Sequence, residues 1–269
     1  MTEEHLDQMN RLVTVAKAPT RIVSVVPSQS ELLVDLGLMD KIVGVTKFCE
    51  HPGNLRAHKA LIGGTKNLNI KKIKSLEPDL ILANKEENTK DQILELAKYF
   101  PVWVSDVKDV CSAIEMVNKI GTLTNTTEIA EDICTRIKNS FKSLKHENQL
   151  DAAYLIWRKP YMSAGGDTFI NSMLECAGFR NIFCSIDRYP ETNLDLLSAK
   201  QPEVILLSSE PYPFGEKHKG EIQQRCPNSI IILVDGTYFS WYGSRLVHSP
   251  KYFKKVSAEI QKIVDEKRA

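Results

Sequence analysis

The amino-acid sequence predicts an α/β protein of two three-layer α/β lobes, with mainly parallel sheets, joined by a single long backbone helix. Short apolar runs alternate with helical segments in both halves of the chain, which is the pattern of parallel sheets built from βαβ units. Residues 107–147, between the halves, show no strand pattern. Residues 69–87 also resemble residues 193–211, which indicates that a similar lobe occurs twice.

The N-terminal lobe is predicted to cover residues 1–106. Pro27 ends its first strand, and Ser28 followed three residues later by Glu31 has the spacing of a capping box, so a helix is expected to begin there. Gly37 is placed to end that helix. The other elements expected in this lobe are buried strands over residues 22–26, 42–46, 80–83 and 102–105 and a helix over residues 91–98.

Residues 107–147 are predicted to be a helical linker that includes the backbone helix. Asn125 followed by Glu128 marks the expected start of that helix. Its length of roughly 20 residues corresponds to a rod of about 30 Å at the helical rise per residue. The apolar residues that recur on one face at helical spacing are Ile129, Ile133, Ile137, Phe141 and Leu144.

The C-terminal lobe is predicted to cover residues 148–269. Strands are expected over residues 152–157, 204–209 and 230–234, and helices over residues 168–177 and 250–266. In each repeated stretch a short helix, a proline followed by an acid, an apolar strand and a glutamate occur in the same order. Because ligands of open α/β sheets bind beyond the carboxyl ends of the strands, the sequence predicts a binding cleft between the two lobes.

Composition narrows the class of protein. The 269 residues carry a net charge of +1, with 42% hydrophobic and 26% charged residues, which is typical of a globular protein and does not favour a nucleic-acid partner. No apolar run is long enough to span a membrane. The polar N-terminus lacks the features of a secretory signal, so a cytoplasmic protein is expected, or a periplasmic or surface protein if a leader has been removed. We expect a monomer.

The six cysteines form no CxxC pair and indicate a reducing compartment. Cys134 and Cys176 lie in apolar helical patterns and are interpreted as core residues. Cys49 and His51 could share one side of an extended segment. Two such ligands make an incomplete zinc site, so no metal site is predicted, although His51 could serve as an axial ligand to a bound metal complex.

The segments that follow the predicted strands contain the candidate ligand-binding residues. Residues 239–245, FSWYGSR, are conspicuous in a chain that is only 7% aromatic, since aromatic faces stack on flat ligands and an arginine meets carboxylates. Arg245 could instead form a salt bridge to the opposite lobe. Trp241 and Tyr242 could also pack under the last helix. The candidates drawn from these segments are Ser28, Gln29, Lys47, His51, Asn84, Trp157, Arg158, Tyr161, Trp241, Tyr242 and Arg245, and Lys66 is a further candidate to line the cleft.

Several motifs taken together resemble the class III, helical-backbone, substrate-binding proteins of ABC transporters, and most closely the branch that receives vitamin B12 and iron complexes. The resemblance runs from about Arg21 to Lys262. It implies two α/β lobes bridged by one long helix, a ligand held between them and no catalysis. The motifs that carry it are RIVSVVPSQSELLVDLG, IVGVTKFCEHP, the LEPDLIL stretch and WYGSR.

The resemblance also implies roles for single residues. In the B12 receptors aromatic residues of both lobes cup the corrin ring; His51 stands at one such position and Asn84 at another, where stacking is lost. Tyr189 matches a tryptophan of the second lobe, and Trp241 matches the late aromatic residue. The implied guest is a cobalamin, a haem or a ferric chelate, bound as a ligand and not as an intrinsic cofactor.

The resemblance implies an ABC permease as partner, because family members dock through one glutamate in each lobe. The equivalent positions, seven residues before Pro78 and Pro202, hold Lys71 and Asp195. A lysine that faces an arginine would repel it, so Lys71 weakens the expectation of a permease.

A different hypothesis is a cytosolic enzyme, or a ligand-sensing or ligand-handling factor, that uses Cys49 and His51 on the same fold. The sequence shows no Ser/His/Asp set, no P-loop and no GxGxxG fingerprint in support of an enzyme.

Overall fold

The structure, a computed structural model, describes residues 2–144 and 149–268. The chain divides into two compact units, of which the first comprises residues 1–137 and 242–245 and the second residues 138–241 and 246–269. The boundary at residue 137 falls inside a helix, and four residues late in the chain belong to the first unit.

The first unit is organised around a five-stranded, fully parallel sheet with the strand order β5-β4-β3-β8-β9. Two antiparallel pairs, β1 with β2 and β6 with β7, lie outside it. The strands are β1 (Thr2–Leu6), β2 (Leu12–Ala16), β3 (Ile22–Ser24), β4 (Ile42–Val45), β5 (Ala60–Leu61), β6 (Gly63–Gly64), β7 (Asn67–Leu68), β8 (Leu80–Asn84) and β9 (Val102–Ser105). The helices are α1 (Pro27–Asp35), α2 (Leu55–His58), α3 (Ile70–Ser75), α4 (Lys90–Ala97), α5 (Val110–Leu123) and α6 (Thr127–Lys142).

All four strands predicted for this unit are confirmed, because their apolar runs are buried on both sides of the sheet. The capping box is wrong. Helix α1 begins at Pro27 with Val26 as N-cap and no side-chain cap, so Ser28 lies inside the first turn. Gly37 ends the helix as predicted, in the left-handed conformation (φ +78°). The β1–β2 hairpin was not predicted, since β1 is exposed and lacks an apolar face.

The predicted linker contains two helices, α5 and α6, separated by a break at Asn125 (φ +56°). Helix α6 has 16 residues, so it is shorter than the rod expected from the sequence. Its buried face includes Ala130, Ile133, Cys134 and Ile137, whereas Ile129 is 44% exposed, so the predicted stripe is wrong at Ile129. Residues 145–147 of the predicted linker lie outside the described residues.

The second unit contains a six-stranded sheet with the order β13-β11-β10-β14-β15, in which β12 also pairs with β10. The contacts of β10 with β12 and β14 and of β14 with β15 are parallel, and those of β11 are antiparallel. Its strands are β10 (Leu150–Trp157), β11 (Tyr161–Ser163), β12 (Phe179–Asn181), β13 (Glu191–Thr192), β14 (Val204–Ser208) and β15 (Ile230–Val234). Its helices are α7 (Phe169–Cys176), α8 (Leu194–Lys200), α9 (Glu216–Arg225), α10 (Thr237–Ser240) and α11 (Ser249–Arg268).

The predicted α/β class with mainly parallel sheets is confirmed. Strands β10, β14 and β15 and helices α7 and α11 match their predicted positions, whereas β11 and α9 were not predicted. Within the described residues, none of the helices is long and apolar enough to cross a membrane.

The internal repeat is confirmed at the level of local geometry. Asn69 caps α3 by accepting the N–H of the third helical residue at 3.0 Å, and Asn193 caps α8 in the same way at 2.8 Å. A non-glycine residue in the left-handed conformation precedes each following proline: Glu77 (φ 44°) and Gln201 (φ 48°). Each unit therefore uses the same cap, helix and turn to enter a central strand.

Candidate functional site

The loops beyond β3, β6 and β8 of the first unit are joined by Asn88. Its amide nitrogen donates to the carbonyl oxygens of Val25 and Thr65, both at 3.1 Å, and its amide oxygen accepts the N–H of Asn84 at 2.8 Å. Asn88 is buried, so these hydrogen bonds do not compete with water. The side chain of Asn88 therefore fixes the three loops that follow β3, β6 and β8 relative to one another.

Gln29 and Asn84, both predicted to bind ligand, are buried side chains under these loops. The amide nitrogen of Gln29 donates to Ser105 Oγ at 2.7 Å, and that of Asn84 donates to the same oxygen at 2.9 Å. The Asn84 oxygen accepts the N–H groups of Glu86 and Glu87. The structure thus places both residues where they shape the loops from inside and do not reach the surface.

Arg245, predicted to meet ligand carboxylates, is bound by a carboxylate of the protein itself. Its Nε and Nη2 donate to the two oxygens of Glu31 at 2.9 and 2.6 Å, with side chains only 9% and 16% exposed. Gly243, in the same segment, has φ +111°, and a Cβ there would lie 3.4 Å from Leu32 Cβ and 3.5 Å from the Ser28 carbonyl. The segment Tyr242–Arg245 therefore packs on α1 beside Ser28.

Exposed side chains follow β4. Lys47 is exposed, and its Nζ lies 5.0 Å from the ring centroid of Phe48, which is 49% exposed. Lys66 donates from Nζ to the carbonyl oxygen of Glu86, and His51 is half-buried. Phe48 was not predicted as a site residue, although its position beside Lys47, two residues after the predicted strand 42–46, was a signal for it.

Cys49, the proposed nucleophile of the enzyme hypothesis, is fully buried. Its thiol donates to Ser30 Oγ at 3.2 Å and lies 3.4 Å from Thr46 Oγ1. Burial raises the pKa of the thiol above 9.0, despite the lowering effect of those two hydroxyl groups. A buried thiol with a raised pKa is a poor nucleophile. Throughout the described part of the chain, no group of three or more His, Cys, Asp or Glu side chains is arranged to hold a metal ion.

The structure brings together Trp157, Arg158 and Tyr161 of the second unit. Trp157 ends β10, Arg158 lies in the tight connection that follows, and Tyr161 begins β11; Trp157 is 40% exposed. Arg158 Nη2 donates to Glu221 Oε2 at 2.6 Å, and the Tyr161 hydroxyl donates to Glu221 Oε1 at 3.1 Å. Burial would raise the pKa of Glu221, but the hydrogen bonds from Arg158 and Tyr161 hold it below the ordinary value of 4.5.

Three further residues complete an aromatic patch, which we define as Trp157, Tyr161, Tyr212, Phe214 and His218. Tyr212 meets Trp157 edge to face at a centroid distance of 5.8 Å and Phe214 at 4.8 Å. The rings of Phe214 and Tyr161 are stacked, with centroids 6.5 Å apart. Tyr212, Phe214 and His218 were not predicted as site residues, although residues 210–214 follow the predicted strand 204–209.

Trp241 and Phe239 of the second unit are not part of the aromatic patch, and each has its own contacts. Trp241 is buried, and its indole N–H donates to Glu210 Oε1 at 2.9 Å. Phe239 packs 4.8 Å from Phe253 of α11, so Phe239 forms the hydrophobic contact under the last helix. Tyr189 is half-buried, with the guanidinium carbon of Arg188 5.9 Å from its ring centroid.

The two residues at the predicted docking positions occupy equivalent places in α3 and α8, because each is the second helical residue after an asparagine cap. Lys71 is exposed. Asp195 is exposed as well and forms an ion pair with Arg225 at 2.8 Å.

His218 is expected to make the stability of the second unit depend on pH. Burial, followed by the charges of Lys217 and Arg158, lowers the pKa of His218 from 6.5. Native His218 therefore binds a proton less readily than it does in the unfolded chain, so stability is complete above pH 6.5 and is lost as the pH falls below that value. Thermal unfolding from about pH 7.5 to about pH 5 should show a steeper fall in Tm for the wild type than for His218→Gln. An equal fall of Tm with pH in the wild type and in His218→Gln would contradict this expectation.

Comparison with known proteins gives matches over most of the chain. The model of the periplasmic binding protein family matches residues 22–225. An uncharacterised ABC transporter substrate-binding lipoprotein of Bacillus subtilis is 29% identical over 212 residues, which cover 74% of this chain and 67% of the relative. A vitamin B12-binding protein of Pectobacterium carotovorum is 24% identical over 88% of each chain. The solved periplasmic vitamin B12 binding protein of Vibrio cholerae has a TM-score of 0.76 at 20% identity, covering 91% of this chain and 98% of that chain.

Proposed function

The chain belongs to the periplasmic binding protein family, and from this premise we propose that it binds a corrinoid, a haem-like compound or a ferric chelate and delivers it to an ABC transporter. The resemblance to class III substrate-binding proteins near the vitamin B12 and iron-complex branch is confirmed by the matches. A binding protein of this kind carries its ligand unchanged, so the proposal includes no catalysis.

The observation that carries the proposal is the aromatic patch of the second unit. Trp157 is 40% exposed at the end of a central strand, supported by Tyr212 at its edge. An exposed indole held in place by a second ring offers a flat ligand a large apolar surface with little loss of side-chain freedom. In the first unit, exposed Phe48 with Lys47 beside it offers a smaller surface of the same kind.

The enzyme hypothesis is not favoured by the geometry. It required a reactive Cys49, whereas the thiol is buried and its pKa is raised by that burial.

A permease is the partner in this proposal, and the periplasm or the cell surface is its location. The pairing would be asymmetric, because α8 presents Asp195 where α3 presents Lys71. We therefore infer that the permease surface that faces α3 lacks the arginine expected from the family resemblance, since two cations would repel each other.

Removing the indole of Trp241 is expected to weaken ligand binding at least about tenfold, because the family resemblance matches Trp241 to one of the aromatic residues that contact the ligand. The experiment titrates the protein with cyanocobalamin, haemin and a ferric siderophore chelate and follows absorbance and heat. One of these three probes should bind the wild type, and Trp241→Ala should bind it more weakly.

Tyr99→Ala is the matched control, because Tyr99 is an exposed aromatic residue that packs with Lys74. It should bind the probe as the wild type does. Absence of binding for all three probes would overturn the proposed ligand class. Equal affinities of the wild type and Trp241→Ala would remove Trp241 from the site.

A further inference from the structure

Helix α9 contributes His218 to the aromatic patch and contacts the patch again through Glu221, one turn further along the helix. His218 meets the rings of Tyr212 and Phe214 at centroid distances of 5.5 and 5.4 Å. Glu221 accepts hydrogen bonds from Arg158 and Tyr161. Residues three apart on a helix lie on one face, so both contacts come from the same side of α9.

The hydrogen bonds of His218 determine where its proton lies. Nδ1 accepts the backbone N–H of Gly215 at 2.9 Å, which also satisfies a free donor at the start of α9. The proton of the neutral imidazole is therefore on Nε2, which lies 3.2 Å from the Tyr212 hydroxyl oxygen and donates to it. Tyr212 in turn contacts Trp157 edge to face, so the orientation of Tyr212 affects that of the exposed indole.

Glu221 determines the charge that Arg158 presents. The Arg158–Glu221 contact of 2.6 Å is a charge-assisted hydrogen bond, and the Arg158 side chain is only 21% exposed. With the carboxylate in place, Arg158 and Glu221 together carry no net charge. Arg158 therefore adds no net positive charge beside the exposed ring of Trp157.

We propose that α9 is the positioning element of the aromatic patch: His218 orients Tyr212 and Trp157, and Glu221 neutralises Arg158 so that the patch selects the uncharged ring portion of a ligand. This inference rests on the proposed function. It also assigns a role to a helix that has few apolar residues and no exposed aromatic residue of its own.

A simpler explanation is that His218 only caps α9 and that Glu221 only forms a surface ion pair. That explanation accounts for the contact with Gly215 but gives no reason for the contact with Tyr212. It predicts that substitutions change stability without changing the environment of Trp157. The two explanations therefore differ in a spectroscopic signal as well as in affinity.

The first experiment uses fluorine NMR of the full chain labelled with fluorotryptophan, in which the signal of Trp157 is assigned from Trp157→Phe. His218→Ala should shift the Trp157 signal, leave that of Trp103 in place, and weaken probe binding by about tenfold. His218→Gln keeps a hydrogen-bonding group, so its Trp157 signal and its affinity for the probe should both lie between those of His218→Ala and the wild type. Gln224→Ala, an exposed position on α9, is the control and should resemble the wild type.

The second experiment compares an anionic probe, haemin, with cyanocobalamin, which carries no carboxylate. Glu221→Gln leaves the charge of Arg158 uncompensated, so the affinity for haemin relative to cyanocobalamin should rise by about tenfold. An unchanged ratio would overturn the role given to Glu221.

The outcomes separate this inference from the proposed function. If the wild type binds a probe and His218→Ala binds it equally with an unshifted Trp157 signal, the positioning role of α9 is overturned and the proposed function stands. If no probe binds the wild type but His218→Ala still shifts the Trp157 signal, the proposed ligand class fails and the positioning of Trp157 by α9 is supported.

Discussion

Glu31→Ala is expected to lower the free energy of unfolding by about 3–5 kcal/mol. The substitution leaves the guanidinium of Arg245 buried without the carboxylate that accepts its Nε and Nη2 at 2.9 and 2.6 Å. Because this pair joins residues 214 positions apart in sequence, its loss should also release the segment Tyr242–Arg245 from α1. Chemical denaturation followed by circular dichroism measures the change, and hydrogen exchange of Gly243 and Ser244 reports the release.

A double substitution separates the ion pair from simple packing. Glu31→Leu with Arg245→Met should be closer to the wild type than either single change, because an apolar pair leaves no uncompensated charge. The exposed pair Asp132–Arg136 supplies the matched control, with side chains 65% and 54% exposed. Asp132→Ala should change stability by no more than about 0.5 kcal/mol. A similarly small effect of Glu31→Ala would contradict the importance given to the buried pair.

Asn88→Asp is expected to destabilise the first unit by about 3 kcal/mol or more at neutral pH. The change keeps the shape of the side chain but turns two donated hydrogen bonds, to Val25 and Thr65, into contacts between a carboxylate and carbonyl oxygens. The introduced acid is stabilised in its protonated form, so its pKa rises in the native state. The loss of stability should therefore grow as the pH rises above about 4.

The measurement is urea unfolding of Asn88→Asp and the wild type at about pH 4 and about pH 7. Asn139→Asp, an exposed position on α6, makes the same chemical change without buried partners and should stay within about 0.5 kcal/mol of the wild type. If Asn88→Asp were as mild as this control, Asn88 would not be the residue that holds the three loops together.

The sequence indicated where much of the candidate site lies along the chain, but it did not indicate which side chains contact one another there. The apolar run before Trp157 indicated that this residue ends a strand, and the structure places it at the end of β10. The side chains that hold Trp157 in place belong to a segment whose sequence pattern does not predict a helix. Helix α9 is polar and lacks the periodic apolar face by which a helix is detected, so His218 and Glu221 were not considered.

For Arg245 the sequence left two alternatives, a ligand carboxylate or a salt bridge to the opposite lobe, and the structure shows an ion pair with Glu31. An arginine beside aromatic residues has the right chemistry for an anionic ligand, and nothing in the neighbouring sequence indicates that an acid already occupies it. Glu31 was interpreted as half of a capping box from its spacing with Ser28, because only local partners were visible. In the structure Pro27 begins α1 without a side-chain cap, which leaves Glu31 for a partner from the other end of the chain.

Residue order alone was enough to predict the α/β class, the central strands, the end of a helix at Gly37 and the repeated order of short helix, proline and strand. These features depend on residues within a few positions of one another, through apolar periodicity and backbone preferences. The fold was needed to show which polar side chains are buried as supports, such as Asn84 and Gln29, and which charges are paired, such as those of Arg158 and Arg245. The physical reason is that burial and ion pairing depend on partners brought together by the fold, and their separation along the chain carries no local signal.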